Sequence, residues 1–231
     1  MYTGEKIDYE KMDWHLQRAL ELNPSNIAAL LYSAQRLRDQ ERSDEGLVLL
    51  ERAFALDPYN PFLLANFVFN QDNEDEARVW YERTLEVDPG NSVARWAFGW
   101  QLVGQEKFEE AAQILTEAQD KLFSVEEGSP EALPQLLTAL VGLGRTGEIE
   151  AIKTDLEAAA ERRYIPKVFL ACVHGALGNE ELAVELMEAA WDEKDFRVPW
   201  YIGTVQDLIF PDDEPSQRFL DLRAKFEAWF R

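Results

Sequence analysis

Apolar residues recur along most of this chain at intervals of three and four, the signature of helices with one buried face. Leu30, Ser33, Ala34 and Leu37 share one stripe, and Gly46, Leu50 and Ala53 share the next. The stripes come in pairs joined by short polar turns, among them Gly104-Gln105-Glu106-Lys107, Gly144-Arg145-Thr146-Gly147 and Gly178-Asn179. A closing phrase, Arg18-Ala19-Leu20-Glu21-Leu22-Asn23-Pro24, returns 34 residues later as Arg52-Ala53-Phe54-Ala55-Leu56-Asp57-Pro58. It returns again 31 residues further on as Arg83-Thr84-Leu85-Glu86-Val87-Asp88-Pro89. A fixed period of this size predicts stacked helical hairpins, each burying its apolar face against the next.

The pattern predicts five paired units. Small residues at Ala34 and Gly46 let the helices of the first complete pair approach, while Leu30, Leu37 and Leu50 fill the space beside them. The next pair keeps Leu64, Phe67, Ala77, Tyr81 and Pro89 but is three residues short, so its first helix is expected to lack about a turn. Phe98, Gly99 and Leu102 face Ala111, Leu115 and Ala118 in the following unit. Ser129 and Pro130 are placed to start another, with Leu136, Ala139, Leu143, Ala151 and Ala158 as its apolar set. The last follows Pro166 with Leu170, Ala171, His174, Ala183, Met187 and Ala190. Before all of these, residues 6–22 supply only a second helix, with Leu16 and Ala19 in place. Either that helix is a cap or the chain is a piece of something longer. After Asp195 the period ends, Pro199, Pro211 and Pro215 break any long helix, and residues 216–230 read as a terminal amphipathic helix.

This order of large, small and aromatic positions closed by proline resembles the tetratricopeptide repeat (TPR) family. The resemblance implies an all-α fold, a right-handed α-solenoid of about five full repeats with an N-terminal half repeat and a C-terminal capping segment. Residues 1–195 would form the solenoid and 196–231 the segment packed on the last repeat, in a single structural domain. The second half also resembles a bacterial and archaeal TPR module. It carries Arg162-Arg163-Tyr164-Ile165-Pro166, Gly175-Ala176-Leu177-Gly178-Asn179 and Asp192-Glu193-Lys194-Asp195, then Glu214-Pro215-Ser216-Gln217-Arg218-Phe219 before Leu222. Such modules lie C-terminal to adenylate-cyclase-type, kinase or winged-helix DNA-binding domains in signalling proteins.

Composition narrows the partners. The 44 acidic residues against 23 basic ones leave a net charge of −21, which repels nucleic acid and anionic membranes and attracts a basic partner at long range. Glu-rich solvated helix faces explain the same excess without any partner. Cys172 is the single cysteine, so no internal disulfide and no thiolate metal cluster can form. The first residues lack a signal sequence and no run approaches the roughly 20 apolar residues of a membrane span, so the expectation is a cytoplasmic protein.

No catalytic, cofactor or metal motif emerges. His174 and Cys172 lie about 200° apart around a helix and cannot converge on one ion or form a nucleophilic pair. The run Asp72-Asn73-Glu74-Asp75-Glu76 lacks the glycine and final glutamate of a calcium loop and reads as the start of the next helix, and Asp212-Asp213-Glu214 reads as solvated loop.

In TPR proteins the first helix of each hairpin lines a concave groove. The resemblance places Leu31, Gln35, Asn66, Phe69, Trp96, Trp100, Leu136 and Leu140 there, with Ala65, Val168 and Cys172 at equivalent positions. Trp96 and Trp100, a helical turn apart, are candidates to anchor a peptide or helix, or else to pack against neighbouring hairpins. Arg36, Arg38 and Arg95 are rim contacts or surface ion pairs. The Lys and Asn pattern that grips acidic chaperone tails in this family is absent. The expected function is a non-catalytic protein-interaction scaffold without cofactor. The alternative is a regulatory or oligomerisation module of a signalling protein, with self-association through the solenoid ends.

Overall fold

A computed structural model describes residues 8–71, 73–122, 132–193, 195, 197–210 and 214–230. These residues form thirteen helices, and no strand occurs among them. They fall into two compact units, one within Ile7–Gln105 and one within Glu106–Arg231.

The first unit contains α1 (Tyr9–Leu22), α2 (Ile27–Asp39), α3 (Ser43–Leu56), α4 (Pro61–Phe69), α5 (Glu74–Val87) and α6 (Ser92–Gly104). Its hairpin-to-hairpin loops repeat one device, Asx-Pro-x-Asn, at residues 23–26, 57–60 and 88–91. The closing Asn caps the next helix: Asn26, Asn60 and Asn91 accept from the amides of Ala29 (3.0 Å), Leu63 (3.2 Å) and Ala94 (2.8 Å). The side-chain amides of Asn60 and Asn91 also donate back to Asp57 (3.1 Å) and Asp88 (3.0 Å). Each loop thus ties one helix end to the next helix start.

Leu30, Ala34, Leu50, Ala53, Leu63 and Phe67 form a continuous buried cluster. Gly46 makes the close approach expected of it, since a Cβ there would lie 3.0 Å from the Ala34 carbonyl oxygen. The expected shortening is also present: α4 has 9 residues against 13 in α2 and in α6. Asn73 caps α5 by accepting from the Glu76 amide (2.9 Å), so the acidic run is a helix start. Residue 72 of that run and Asp212-Asp213 lie outside the described residues.

The turns inside hairpins share a second device. Backbone at Gly144 (φ 65°) and Gly178 (φ 74°) is left-handed, and the amides of Gly144 and Arg145 close on Val141 and Leu140. Glu41 stands in the equivalent place with φ 59°, and the amides of Glu41 and Arg42 close on Arg38 and Leu37. A side chain in this conformation is strained where glycine is not. Glu41→Gly is therefore expected to raise stability by about 0.5–1 kcal/mol in urea unfolding, the strain relief exceeding the added entropy of the unfolded chain. A loss of stability would show that the turn does not adopt this geometry.

The second unit contains α7 (Phe108–Leu122), α8 (Leu133–Gly142), α9 (Thr146–Ala160), α10 (Lys167–Ala176), α11 (Glu180–Asp192), α12 (Val198–Ile209) and α13 (Gln217–Phe230). Two expectations change here. In α9 the structure buries Ile149 and Leu156 and exposes Ala151 and Ala158. The two larger side chains stand seven residues apart on one face, and the alanines, two residues on, point about 200° away. The second change follows Asp195, where the helical array continues. Pro199 sits in the first turn of α12, where a missing amide is harmless, and α12 packs on α8, α10 and α11. Gly175 permits this contact, because a Cβ there would meet Ile209 Cγ1 at 2.9 Å. The terminal helix α13 buries Phe219 and Leu222 and ties to α11 through Arg218 and Glu188 (2.7 Å). Ser129 and Pro130 and the side chains of Phe226 and Phe230 lie outside the described residues, and α8 begins at Leu133 with Pro134 in its first turn. No helix among the described residues is long and apolar enough to cross a membrane.

Candidate partner-binding face

The helices α2, α4 and α6 of the first unit bring four of the sequence-predicted residues together. Gln35 of α2 donates its amide to Asn66 Oδ1 of α4 (2.8 Å). Asn66 is itself buried and donates to the Phe62 carbonyl (2.8 Å), while Asn70 donates to the Asn66 carbonyl (2.8 Å). Gln101 of α6 reaches α4 and the residue just beyond it, donating to the carbonyls of Val68 (2.7 Å) and Gln71 (3.0 Å). These amides hold the three helices in register, because each buried polar group has few alternative partners.

The rings form a second layer. Phe69 of α4 and Trp96 of α6 meet edge to face at 5.1 Å between centroids. The Arg38 guanidinium of α2 lies 5.0 Å from the Phe69 centroid. Trp100, one turn beyond Trp96 on α6, stays 50% exposed, and Tyr32 and Phe62 are also exposed. Leu31 is buried. Leu136 and Leu140 belong to α8 of the second unit, where both are buried in its core.

The arginines of the region divide sharply. Arg36 makes a forked contact with Asp13 (3.0 and 3.3 Å), which holds its guanidinium above the usual range. Arg95 donates to the Asn91 carbonyl (3.3 Å). Arg38 makes no side-chain hydrogen bond among the described residues; its nearest carboxylate oxygen, on Asp39, is 3.8 Å away. Burial pushes the Arg38 guanidinium below its ordinary value, opposed in part by Asp39.

Charge is sorted by helix. Across α2, α4 and α6 the ionised side chains are Arg36, Arg38 and Arg95 against Asp39 alone. The intervening α3 and α5 carry Asp44, Glu45, Glu51, Glu74, Asp75, Glu76, Glu82 and Glu86 against Arg52, Arg78 and Arg83. The acidity of the chain is therefore a property of the alternate helices, and the ring-bearing face has the opposite local balance.

Neither of the remaining nucleophile or base candidates is poised for chemistry. Cys172 is fully buried and its thiol is pushed up by burial, away from the reactive thiolate. His174 is buried with its Nε2 3.8 Å from Glu157, and burial lowers its pKa against the pull of Glu157. Among the described residues no three His, Cys, Asp or Glu side chains stand together as a metal site.

No protein-family model matches the chain, and no curated protein matches it. Solved structures do. PilW, a widely conserved type IV pilus biogenesis factor, superposes with a TM-score of 0.52 at 15% identity, over 90% of this chain and 94% of its own. A tetratricopeptide repeat protein from Parabacteroides merdae ATCC 43184 gives 0.47 at 18% identity, over 94% of this chain and 78% of that one. YrrB, a TPR protein with an unusual peptide-binding site, gives 0.42 at 18% identity, over 90% and 97%. The fold is a TPR solenoid fold. The association with cyclase, kinase or winged-helix proteins rests on the sequence resemblance alone.

Proposed function

We propose that this TPR-fold chain is a non-catalytic protein-interaction scaffold that receives a peptide or helix on the face of α2, α4 and α6. The observation that carries the reading is the half-exposed Trp100 beside the packed Phe69–Trp96 pair. A large rigid ring held at a helix surface loses little entropy on binding and presents much apolar area. Around it, the amide ladder of Gln35, Asn66 and Gln101 fixes the helices, so the surface exists before the partner arrives.

The test is selection of displayed random peptides on the immobilised full chain, followed by affinity measurement for the recovered sequences. W96A/W100A is expected to weaken binding by at least about tenfold while circular dichroism stays helical. Equal affinity for the double variant would place the binding surface elsewhere.

A further inference from the structure

The joint between α1, α2 and α3 is open where its counterpart one repeat later is filled. In that later joint, Phe54 of α3, Phe67 of α4 and Trp80 of α5 form one cluster, with ring centroids 4.2 to 5.8 Å apart. The Arg83 guanidinium covers it, 4.7 Å from the Phe54 centroid and 5.3 Å from that of Trp80. One repeat earlier, 34 residues before the two phenylalanines and 31 before Trp80 and Arg83, the same places hold Leu20, Ser33, Leu49 and Arg52. Leucine and serine thus stand where rings stand, and a cleft of about 520 Å³ opens there, lined by these four residues together with Leu16 and Leu37. Its size is that of a ligand site, for which about 300–1,000 Å³ is usual. The half-buried leucines on its walls lack the contacts that the rings supply in the next joint.

We propose that this cleft is a second docking site, which receives an aromatic side chain of a partner polypeptide, seated on the leucines with the Arg52 guanidinium over its ring. The neighbouring joint specifies the occupant, because it shows what these helices close around when the space is filled and what the arginine at this place does. Arg52 is free for that role: it is exposed, it donates to the Pro24 carbonyl (3.1 Å), and no carboxylate pairs with it among the described residues. The other charges at the edge are already matched within the chain, Asp13 by Arg36 (3.0 Å), Glu21 by Arg18 (2.7 Å) and Arg42 by Glu45 (2.6 Å). An aliphatic side chain would leave the cation without a ring face, and a bare anion would leave the leucines in water. The rim residues Gln17 and Arg52 are exposed, so a ring can enter while the chain that carries it stays outside. Ser33 and Leu37 point about 200° away from Gln35 around α2, which puts the cleft on the other side of that helix from the Gln35–Asn66 contact.

The probe is a neutral, end-blocked tripeptide with fluorinated tryptophan between two glycines, titrated with the full chain and followed by fluorine NMR. Its resonance is expected to shift and broaden with millimolar affinity, and the leucine version of the peptide should bind at least about fivefold more weakly. S33F, which supplies the counterpart of the Phe67 ring from within, should weaken the probe at least about tenfold while circular dichroism stays helical. R52A should weaken it about threefold, the loss of one cation–ring contact. W96A/W100A should leave it unchanged, which separates this site from the face of α2, α4 and α6. Should S33F fail to fold, R52A, a change at an exposed position, carries the test alone. No binding at millimolar peptide, equal binding by S33F or R52A, or a leucine peptide that binds as well overturns the inference. So does loss of the probe in W96A/W100A, which would place the ring on the other face. A monomer–dimer equilibrium of the unliganded chain that S33F abolishes would give the cleft to a second copy and overturns it too.

Discussion

Phe98→Ala is expected to remove about 3–5 kcal/mol of stability. Phe98 is fully buried on α6, its ring stacked on Tyr81 of α5 at 4.6 Å, with the Arg78 guanidinium 4.8 Å from the ring centroid. Truncation loses the transfer energy of the ring and leaves a cavity that its neighbours cannot refill. Ala94, Ala97 and Gly99, buried beside it on α6, are too small to move in, and Leu102 is itself already fully buried. Stacked hairpins contact only their neighbours, so the loss falls on the hairpins that Phe98 joins. Urea unfolding followed by circular dichroism measures it, with Val79→Ala on the exposed side of α5 as the surface control, expected within about 0.5 kcal/mol of wild type. A loss near that of the control would mean that α5 and α6 do not pack through this ring.

The second large effect concerns the single thiol. In native buffer near pH 8, Cys172 is expected to react with a thiol reagent at least about a thousandfold more slowly than in denaturant, because labelling requires α10 to open. Cys172 is inaccessible, and α10 packs against α8, α9, α11 and α12. Two physical causes act in the same direction. Burial removes access, and it also pushes the thiol up, so that little thiolate exists even where the reagent could reach it. Stoichiometric labelling within minutes without denaturant would show that α10 is not a core helix. Because α12 covers α10 through Gly175, the assay also reports on α12, which the sequence pattern after Asp195 does not predict.

Hairpins, their order and the short α4 were readable from residue spacing, since a helical stripe and its cap involve side chains only a few positions apart. The Asx-Pro-x-Asn loops are only half legible in the sequence. Proline and the Asn or Asp before it stand out in the sequence, whereas the capping role of Asn26, Asn60 and Asn91 becomes evident when the amides they accept from are seen. In α9 the alanines mimic the family pattern while Ile149 and Leu156 carry the buried area. α12 is hidden in the sequence because a proline in a first turn looks, in one dimension, like a break.

The candidate face divides along the same line. The resemblance to the repeat family puts Gln35, Asn66, Phe69, Trp96 and Trp100 at groove positions, and those side chains lie on α2, α4 and α6. Which of them remain open depended on neighbours about one repeat away. The Gln35–Asn66 bond spans 31 residues, and the same separation brings Arg38 over Phe69. Leu31, Leu136 and Leu140 are covered for this reason, and Trp100 is not. Net charge was likewise misleading until the helices were placed, because the acids crowd onto α3 and α5 and leave α2, α4 and α6 with a small excess of arginine. Short-range periodicity and capping chemistry thus determine the repeat from the chain itself. Exposure, pairing and local charge balance are set by contacts between repeats, which exist only once the helices are stacked.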